Sequence, residues 1–340
     1  WIDIDSYGPD TYDLDMFSAD ELLNNGGSYV GYYGYDYLGN RLTNQPSFDD
    51  FLNKKDKNGN YTRPIAAFQP IYTAGYIQDK FAIEDLIFNV GLRVDRYDAN
   101  QKVLKDKYLL HDTYTANSTK ARDLGSLSQF GEDYYVYVDD MENPSTIVGY
   151  RNGDVWYDQT GREISNPDIL ENAAGGKIAP MVKNSTDALN NEISAGAFKD
   201  YDPQTIIMPR IAFSFPISDE AQFFAHYDVL TQRPPERSRL NPTEYLFLHN
   251  TVGGLKNNPD LKPEKTVDYE IGFAQTLSLK SALTISLFYK ELRDMIQVMN
   301  LTGAYPRNYL TMENLDFGTV KGLSIAFDLR RTNNVSMTAN

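Results

Sequence analysis

The chain is 340 residues long, with 41% hydrophobic and 23% charged residues, a balance that excludes a disordered polymer and fits two ordinary domains or one large all-β domain. Asp and Glu number 47 against 32 Lys and Arg, a net charge of −15, which excludes a nucleic-acid binder relying on phosphate attraction. Cysteine is absent, so a disulfide framework and a thiolate metal site are excluded, and no apolar run approaches the roughly 18 residues of a transmembrane helix.

Residues 1–70 are polar and acidic, with 11 acids against 5 bases, and they open on an acidic stretch unlike a signal peptide. The tract Asp3, Asp5, Asp10, Asp13 and Asp15 reads as solvated loop charge in preference to a calcium site. Tyr29, Tyr32, Tyr33, Tyr35 and Tyr37 alternate with Gly31 and Gly34. A tyrosine offers a flat face and a hydroxyl, so this loop suits a sugar or peptide ligand, a partner protein, or packing on itself. Asp56-Lys57-Asn58-Gly59-Asn60 faintly resembles a calcium loop, but Ala67 stands where the closing bidentate acid belongs, which favours a plain Asn-Gly turn.

Period-2 alternation begins at 71–97, a hairpin turning through Ile83-Glu84-Asp85. Residues 98–208 then form a long excursion with 18 acids against 10 bases. Strands follow at 209–217 and 222–230, joined through Ser218-Asp219-Glu220. A connection over 231–264 carries Arg233, Arg237 and Arg239, read as a Pro-fixed anchoring segment, with contact to an anionic ligand as the alternative. Further strands span 265–277, 282–291 and 323–329, and an eighth starts at Val335. The two long excursions hold 14 of the 15 net negative charges.

In the strands, one register contains a single polar residue, Gln275, and no charge. The other register carries nine charges among Gly, Ala, Ser and Thr. Alternation alone fits a soluble sandwich as well as a membrane barrel. The connections favour the barrel: tight turns at one end, long loops at the other, and strands of about 9–13 residues, enough for a tilted crossing. Tyr76, Tyr97, Tyr227 and Tyr289 are candidate interfacial aromatics. The start in a loop and the finish inside a strand predict part of a larger barrel.

The stretch 258–266, NPDLKPEKT, followed by Tyr269-Glu270-Ile271-Gly272, resembles the barrel signature of TonB-dependent outer-membrane receptors. The segment 314–323, NLDFGTVKGL, resembles a later strand of that family, and 76–81 with 89–97 resembles its mid-barrel hairpin. The long insertions look closest to Oar-like and SusC-like branches. The resemblance implies an all-β fold: about eight antiparallel transmembrane strands of a presumed 22-stranded barrel, in the outer membrane of a Gram-negative bacterium with the long loops extracellular. It further implies a plug domain, absent from this sequence, and uptake of an oligosaccharide, peptide or siderophore-like nutrient energised by TonB, with a surface lipoprotein as a further partner. A surface β-rich binding or scaffold protein is the alternative. On this reading Arg93, Asp95, His226, Asp228, Arg233, Arg237, Asp268, Glu270, Asp328 and Arg330 face lumen, plug or ligand, and internal salt bridging is their plainer role. No catalytic motif, cofactor motif or metal-ligand spacing occurs.

Overall fold

The computed structural model describes residues 13–173, 178–250, 254–332 and 334–340. Strands β1 (Ile71–Ile83) and β2 (Leu86–Asp98) form the first hairpin. The excursion that follows contains β3 (Lys102–Leu104), β4 (Tyr135–Val138), β5 (Ile147–Asn152), β6 (Val155–Asp158), β7 (Glu163–Ile164), β8 (Ala179–Pro180) and β9 (Phe198–Asp200). Long strands resume with β10 (Gln204–Ser218) and β11 (Ala221–Gln232), then β12 (Leu255–Lys256), β13 (Glu264–Ser278), β14 (Ser281–Leu301), β15 (Tyr309–Thr332) and β16 (Val335–Ala339). The main sheet runs β1-β2-β10-β11-β13-β14-β15 with β16 on β15, an antiparallel meander of eight strands; β12 adds parallel to the loop end of β15.

Register decides what each face can be, because side chains alternate strictly across a strand. The apolar residues stay in phase across seven strands, as in the row Phe81–Phe88–Phe213–Ala225–Ile271–Leu287–Leu323. Ile271, Leu287 and Leu323 are each at least half exposed, so this face is an apolar surface that none of the described residues covers. A water-facing sheet does not present such a surface, whereas the wall of a membrane barrel requires it. The band ends toward the loops at the row Ile211–Tyr227–Tyr269–Tyr289–Lys321. There the Tyr227 and Tyr269 rings lie 5.1 Å apart, those of Tyr269 and Tyr289 5.9 Å apart, and Lys321 Nζ sits 5.4 Å from the Tyr289 centroid. This is an interfacial girdle in which amphipathic rings meet headgroups. Of the four tyrosines expected there, Tyr227 and Tyr289 take that place. Tyr76 and Tyr97 fall in the opposite register, and Tyr97 is buried against Tyr201.

The opposite face holds the charges and two aromatic–glycine pairs. Phe224 lies across from Gly272 and Phe288 from Gly322, and a Cβ at either glycine would collide with the ring. Each ring thus covers a backbone that lacks a side chain of its own.

Four strands exceed the length the sequence pattern predicts, β10 and β13 by two residues and β14 and β15 by far more. β14 has 21 residues and β15 has 24, while a tilted crossing needs only about 9–11. Beyond the girdle the ladder breaks twice: Leu292 pairs with Gly318, Met295 with Asp316, and Ile296 with Asn314. Arg293-Asp294 is therefore a bulge on β14, with Asp294 at φ 56°, and Leu315 is a bulge on β15. Each extra residue inverts the alternation. Odd-numbered β15 residues face the apolar side at Leu323 and Ile325, yet Tyr309 and Thr311 are buried beneath the loops.

The excursion 98–208, expected as a loop, is a folded cap, and its last five residues already belong to β10. A five-stranded sheet, β7-β6-β5-β4-β8, stands on the short β3–β9 ladder. At its centre Arg151 is 1% exposed. Its guanidinium sits 4.4 Å from the Tyr108 centroid, 5.1 Å from Tyr135 and 5.6 Å from Trp156. It donates to Tyr137 Oη at 2.9 Å, Gly153 O at 2.7 Å and Asp106 Oδ2 at 2.6 Å. An ion this deep is tolerable only when paired and fully hydrogen-bonded, and the aromatic cage adds cation–π attraction. Residues 13–70 pack beside the cap through Leu23, Tyr32, Phe51, Leu52 and Ile65, with helices α1 (Ala19–Leu23) and α2 (Phe48–Asn53) each started by a serine capping box.

Placing Arg at Phe213 or Ile325 should cost about 2–4 kcal/mol in folding into lipid vesicles, whereas Arg at Ser214 or Ser324 should be much milder. Denaturant titration of the four variants reads this directly, and equal costs in both registers would contradict the assigned faces.

Candidate functional site

The charged residues of the inner register form two clusters and an outlying pair. In the first, Asp95 is buried and accepts from Arg93 Nε at 2.7 Å and from the Tyr72 hydroxyl. Arg93 Nη2 also donates to Tyr72 Oη at 3.1 Å, and the Arg233 guanidinium lies 5.1 Å from the Tyr72 centroid. Arg233 thereby ties the loop after β11 to the wall. The second cluster is the row Arg210–Asp228–Asp268–Lys290 with His226 and Glu270 one row below. Arg210 Nε meets Asp228 Oδ1 at 2.7 Å, Lys290 Nζ meets Asp268 Oδ2 at 2.7 Å, and His226 Nε2 lies 3.7 Å from Glu270 Oε2. Asp268 Oδ1 is buried without a partner among the described residues. Asp328, which accepts from Thr338 Oγ1 at 3.0 Å, and Arg330 stand apart at the turn end. Arg237 donates to Leu255 O at 3.3 Å, as an anchoring residue would.

The tyrosine loop is divided by burial. Tyr32 is 6% exposed in the cluster with Leu23 and Phe51, and burial pushes its phenol well above the usual range. Tyr33 is half-buried under the Arg239 guanidinium, 3.7 Å from the ring centroid, and Tyr37 is half-buried in the same cluster. Tyr29 and Tyr35 remain exposed. Self-packing therefore accounts for Tyr32, Tyr33 and Tyr37, and two rings face solvent.

The calcium-like turn is closed on itself. Asp56 Oδ1 accepts from the backbone of Asn58 at 2.8 Å and Asn60 at 3.0 Å, with Gly59 at φ 90°. The same D-x-x-G tip recurs at Asp36-Gly39 and Asp158-Gly161, each carboxylate accepting the amides two and four residues on. These side chains are turn-builders. Of the acidic tract, Asp3, Asp5 and Asp10 lie outside the described residues, and Asp13 caps the turn at Leu14.

The NPDLKPEKT stretch has a structural task that its sequence alone does not disclose. Glu264 Oε1 accepts the Ile296 amide, 2.8 Å away, just past the two bulges. Asn314 Nδ2 donates to Asp294 O at 2.7 Å and Lys262 O at 3.0 Å, while its Oδ1 accepts the Lys262 amide at 2.8 Å. Asn258 Nδ2 reaches Met312 O at 2.7 Å. The motif thus clamps the bulged ladder to the incoming loop and satisfies backbone groups the bulges release.

Two cavities open near the cap, the second of them beside this clamp. One, of about 540 Å³, is lined by Phe48, Phe51, Phe68 and Leu240 with Asp98 and Lys102 at its polar side. The other, of about 370 Å³, lies among Lys107, Asp106, Asp154, Asn258, Glu313 and Asn314. In it Lys107 Nζ is 3.0 Å from Asp154 and 3.7 Å from Glu313. Lys107 and Glu313 escape a period-2 reading because one sits in the cap and the other lies beyond the bulge that inverts its strand.

A family model described as "TonB dependent receptor-like, beta-barrel" matches residues 3–340. No match was found among curated proteins. The FrpB iron transporter of Neisseria meningitidis (F3-3 variant) is 12% identical over 77% of this chain and 24% of its own, with a TM-score of 0.36. A double mutant of the Serratia marcescens hemophore receptor HasR, solved with its hemophore HasA and heme, is 14% identical over 78% of this chain and 32% of its own, with a TM-score of 0.42. The ferric-catecholate import receptor Fiu of E. coli K12 is 14% identical over 80% of this chain and 29% of its own, at 0.35. The chain spans about a quarter to a third of the length of these receptors.

Glu264→Ala should cost about 1–3 kcal/mol, because it strands the Ile296 amide, while Glu264→Gln, which keeps an acceptor oxygen, should recover most of that. Hydrogen exchange at 296–301 should accelerate in the alanine variant alone. Unchanged exchange there would show that the clamp does not hold the bulge.

Proposed function

Given that this chain belongs to the TonB-dependent receptor β-barrel family, transporters of the Gram-negative outer membrane rather than enzymes, we propose that it forms part of the barrel wall of a nutrient-uptake receptor. The observation that carries this reading is the phase of the sheet: an apolar face exposed across seven strands, with Asp79 and Lys321 at its girdle row, backed by a face bearing paired charges. In the proposed arrangement the tight turns lie on the periplasmic side and the cap and residues 13–70 are extracellular. A plug carried by the longer protein meets the inner register, where the unpartnered Asp268 oxygen and the Asp95 cluster are the contact points. TonB delivers the energy through that plug, and a surface lipoprotein is a further partner. The ligand is a small oligosaccharide, peptide or siderophore-like molecule, of a size that the two mouth cavities admit.

The β3–β9 ladder pairs Leu104 with Phe198, so residues 105–197 can be replaced in the full-length receptor by a short Gly-Ser link. The shortened receptor should still reach the outer membrane and keep its heat-modifiable gel mobility, but lose nutrient uptake measured in whole cells. Full uptake without the cap would remove the cap from the ligand path. A deletion of the whole receptor with no effect on uptake of any nutrient, alongside stable co-purifying outer-membrane proteins, would favour a scaffold role instead.

A further inference from the structure

The outward face of the sheet carries a groove of about 490 Å³, lined among others by Phe213, Ala225, Tyr227, Tyr269, Ile271 and Leu287. Ala225 is the small member of the row Phe213–Ala225–Ile271–Leu287, so its larger neighbours flank a gap. The tilted rings of Tyr227, Tyr269 and Tyr289 bound that gap toward the loops. On a wall that faces lipid, a gap forfeits dispersion contacts, and a hydrocarbon chain lying in it restores them.

Just loopward of the groove the outward register gains charge. On β13, β14 and β15 the rows read Tyr269–Tyr289–Lys321, then Val267–Glu291–Thr319, then Lys265–Arg293. These rows hold three cations and one carboxylate, in a chain whose net charge is −15. Arg293 Nη2 donates to Glu291 Oε2 at 2.8 Å and Tyr289 Oη to Glu291 Oε1 at 3.3 Å, which keeps the three side chains on one face. Lys321 and Arg293 are exposed, and neither Lys265 nor Lys321 has an ion-pair partner among the described residues. Toward the tight turns the rows Phe273–Ile285–Ile325 and Gln275–Leu283–Phe327 carry no charge. The cations are therefore confined to the loop end of the groove, at headgroup depth.

Cations at that depth attract lipid phosphates and bind them through charge-assisted hydrogen bonds. Lys321 stands in the tyrosine row, whereas Lys265 and Arg293 stand four residues, about 13 Å, further along the strands. A headgroup with two phosphates engages both levels, and one with a single phosphate engages only one. We propose that groove and cations form one binding site for a diphosphorylated, acylated glycolipid of the outer leaflet. One acyl chain lies over Ala225, one phosphate meets Lys321, and the other meets Lys265 and Arg293. The site goes beyond nutrient uptake and rests on the proposed function only for the orientation that puts the long loops outside.

The test is native mass spectrometry of the full-length receptor in detergent, titrated with lipid A carrying two, one or no phosphates and, in parallel, with phosphatidylglycerol. The diphosphorylated form should bind about tenfold or more tighter than the phosphate-free form, with the monophosphorylated form between them and phosphatidylglycerol weaker than the diphosphorylated form. The triple variant Lys265→Gln/Arg293→Gln/Lys321→Gln should abolish this preference, and Lys57→Gln, in an exposed turn of the loops, should leave it intact. Ala225→Phe, which fills the groove with a residue the lipid face tolerates, should weaken all three forms of lipid A several-fold. Heat-modifiable gel mobility establishes that each variant is folded. A preference that survives the triple variant, or equal affinity for the phosphate-free and diphosphorylated forms, overturns the site. Unchanged binding in Ala225→Phe removes the groove from it, and phosphatidylglycerol binding as tightly as diphosphorylated lipid A overturns the glycolipid class. Labelling Tyr29→Cys in intact cells with a membrane-impermeant maleimide reads the orientation separately, since Tyr29 is exposed. Labelling without any lipid preference sinks the site and leaves the orientation standing, whereas lipid preference without labelling overturns the outer-leaflet assignment.

Discussion

The constraint on which the rest of this structure depends is the phase of side-chain alternation across hydrogen-bonded strands in an apolar medium. Within hydrocarbon every backbone group must be paired inside the sheet, and a one-residue slip would carry a whole set of charges to the lipid side. The body of the sheet keeps this phase from β1 to β15, with the charges Asp79 and Lys321 standing in the apolar register at the girdle row. Ladder irregularities at Pro216/Ser218, Thr276/Ser278 and Leu329/Thr332 sit at the turns, where water can satisfy the backbone. The two breaks in mid-strand, at Asp294 and Leu315, lie beyond the Tyr227–Tyr269–Tyr289 girdle. Lipid enforces the alternation, and the alternation is inverted only where lipid has ended.

That inversion joins wall to cap. Without it, Tyr309 and Thr311 would point outward and the long β14–β15 hairpin would stand as a bare extension. With it, Leu301 and Tyr309 enter the same buried cluster as Tyr108, Tyr137 and Trp156 of the cap, and Tyr309 Oη donates to Lys107 O at 2.7 Å. The caged Arg151 then fixes Asp106 next to Lys107, so a cation buried in the cap sets the geometry of a cavity on the wall. Bulges commonly re-aim side chains near functional surfaces, and here two of them, braced by Glu264 and Asn314, place the cap over the inner face.

What was legible in the sequence follows from the same physics. Alternation is local and survives in single residues such as Phe213 against Ser214, so the strands, their turns and the two faces could be read directly, and the charged inner register emerged with them. Features made by contacts distant in sequence could not be read. Nothing near Arg151 in the chain announces that Tyr108 and Trp156 will cage it, and Tyr76 and Tyr97 look like girdle residues until cross-strand pairing places them inside. The NPDLKPEKT stretch was recognisable as a signature, but its role as a clamp needs the positions of Asp294 and Ile296. The cap, charged and irregular in sequence, looked like loop because its strands are short and its core is assembled from aromatics scattered over 108–198.

The acidity of the two excursions has a reading different from electrostatic attraction of a ligand. Asp36, Asp56 and Asp158 each accept two backbone amides at hairpin tips, and Glu21 and Asp50 close capping boxes. The Ser145 hydroxyl and the amides of Ser145 and Thr146 hold the Asp139 carboxyl well below the usual carboxylate range. A cap built from short strands has many turns, and each turn leaves amides that a short carboxylate satisfies well. Much of the net charge is therefore a consequence of building compact structure from tight turns. Along the wall, by contrast, the row Arg210–Asp228–Asp268–Lys290 carries two charges of each sign, so the inner surface is locally polar with little net field. The incompletely paired charge of this row, among the described residues, is Asp268, whose Oδ1 is buried without a partner.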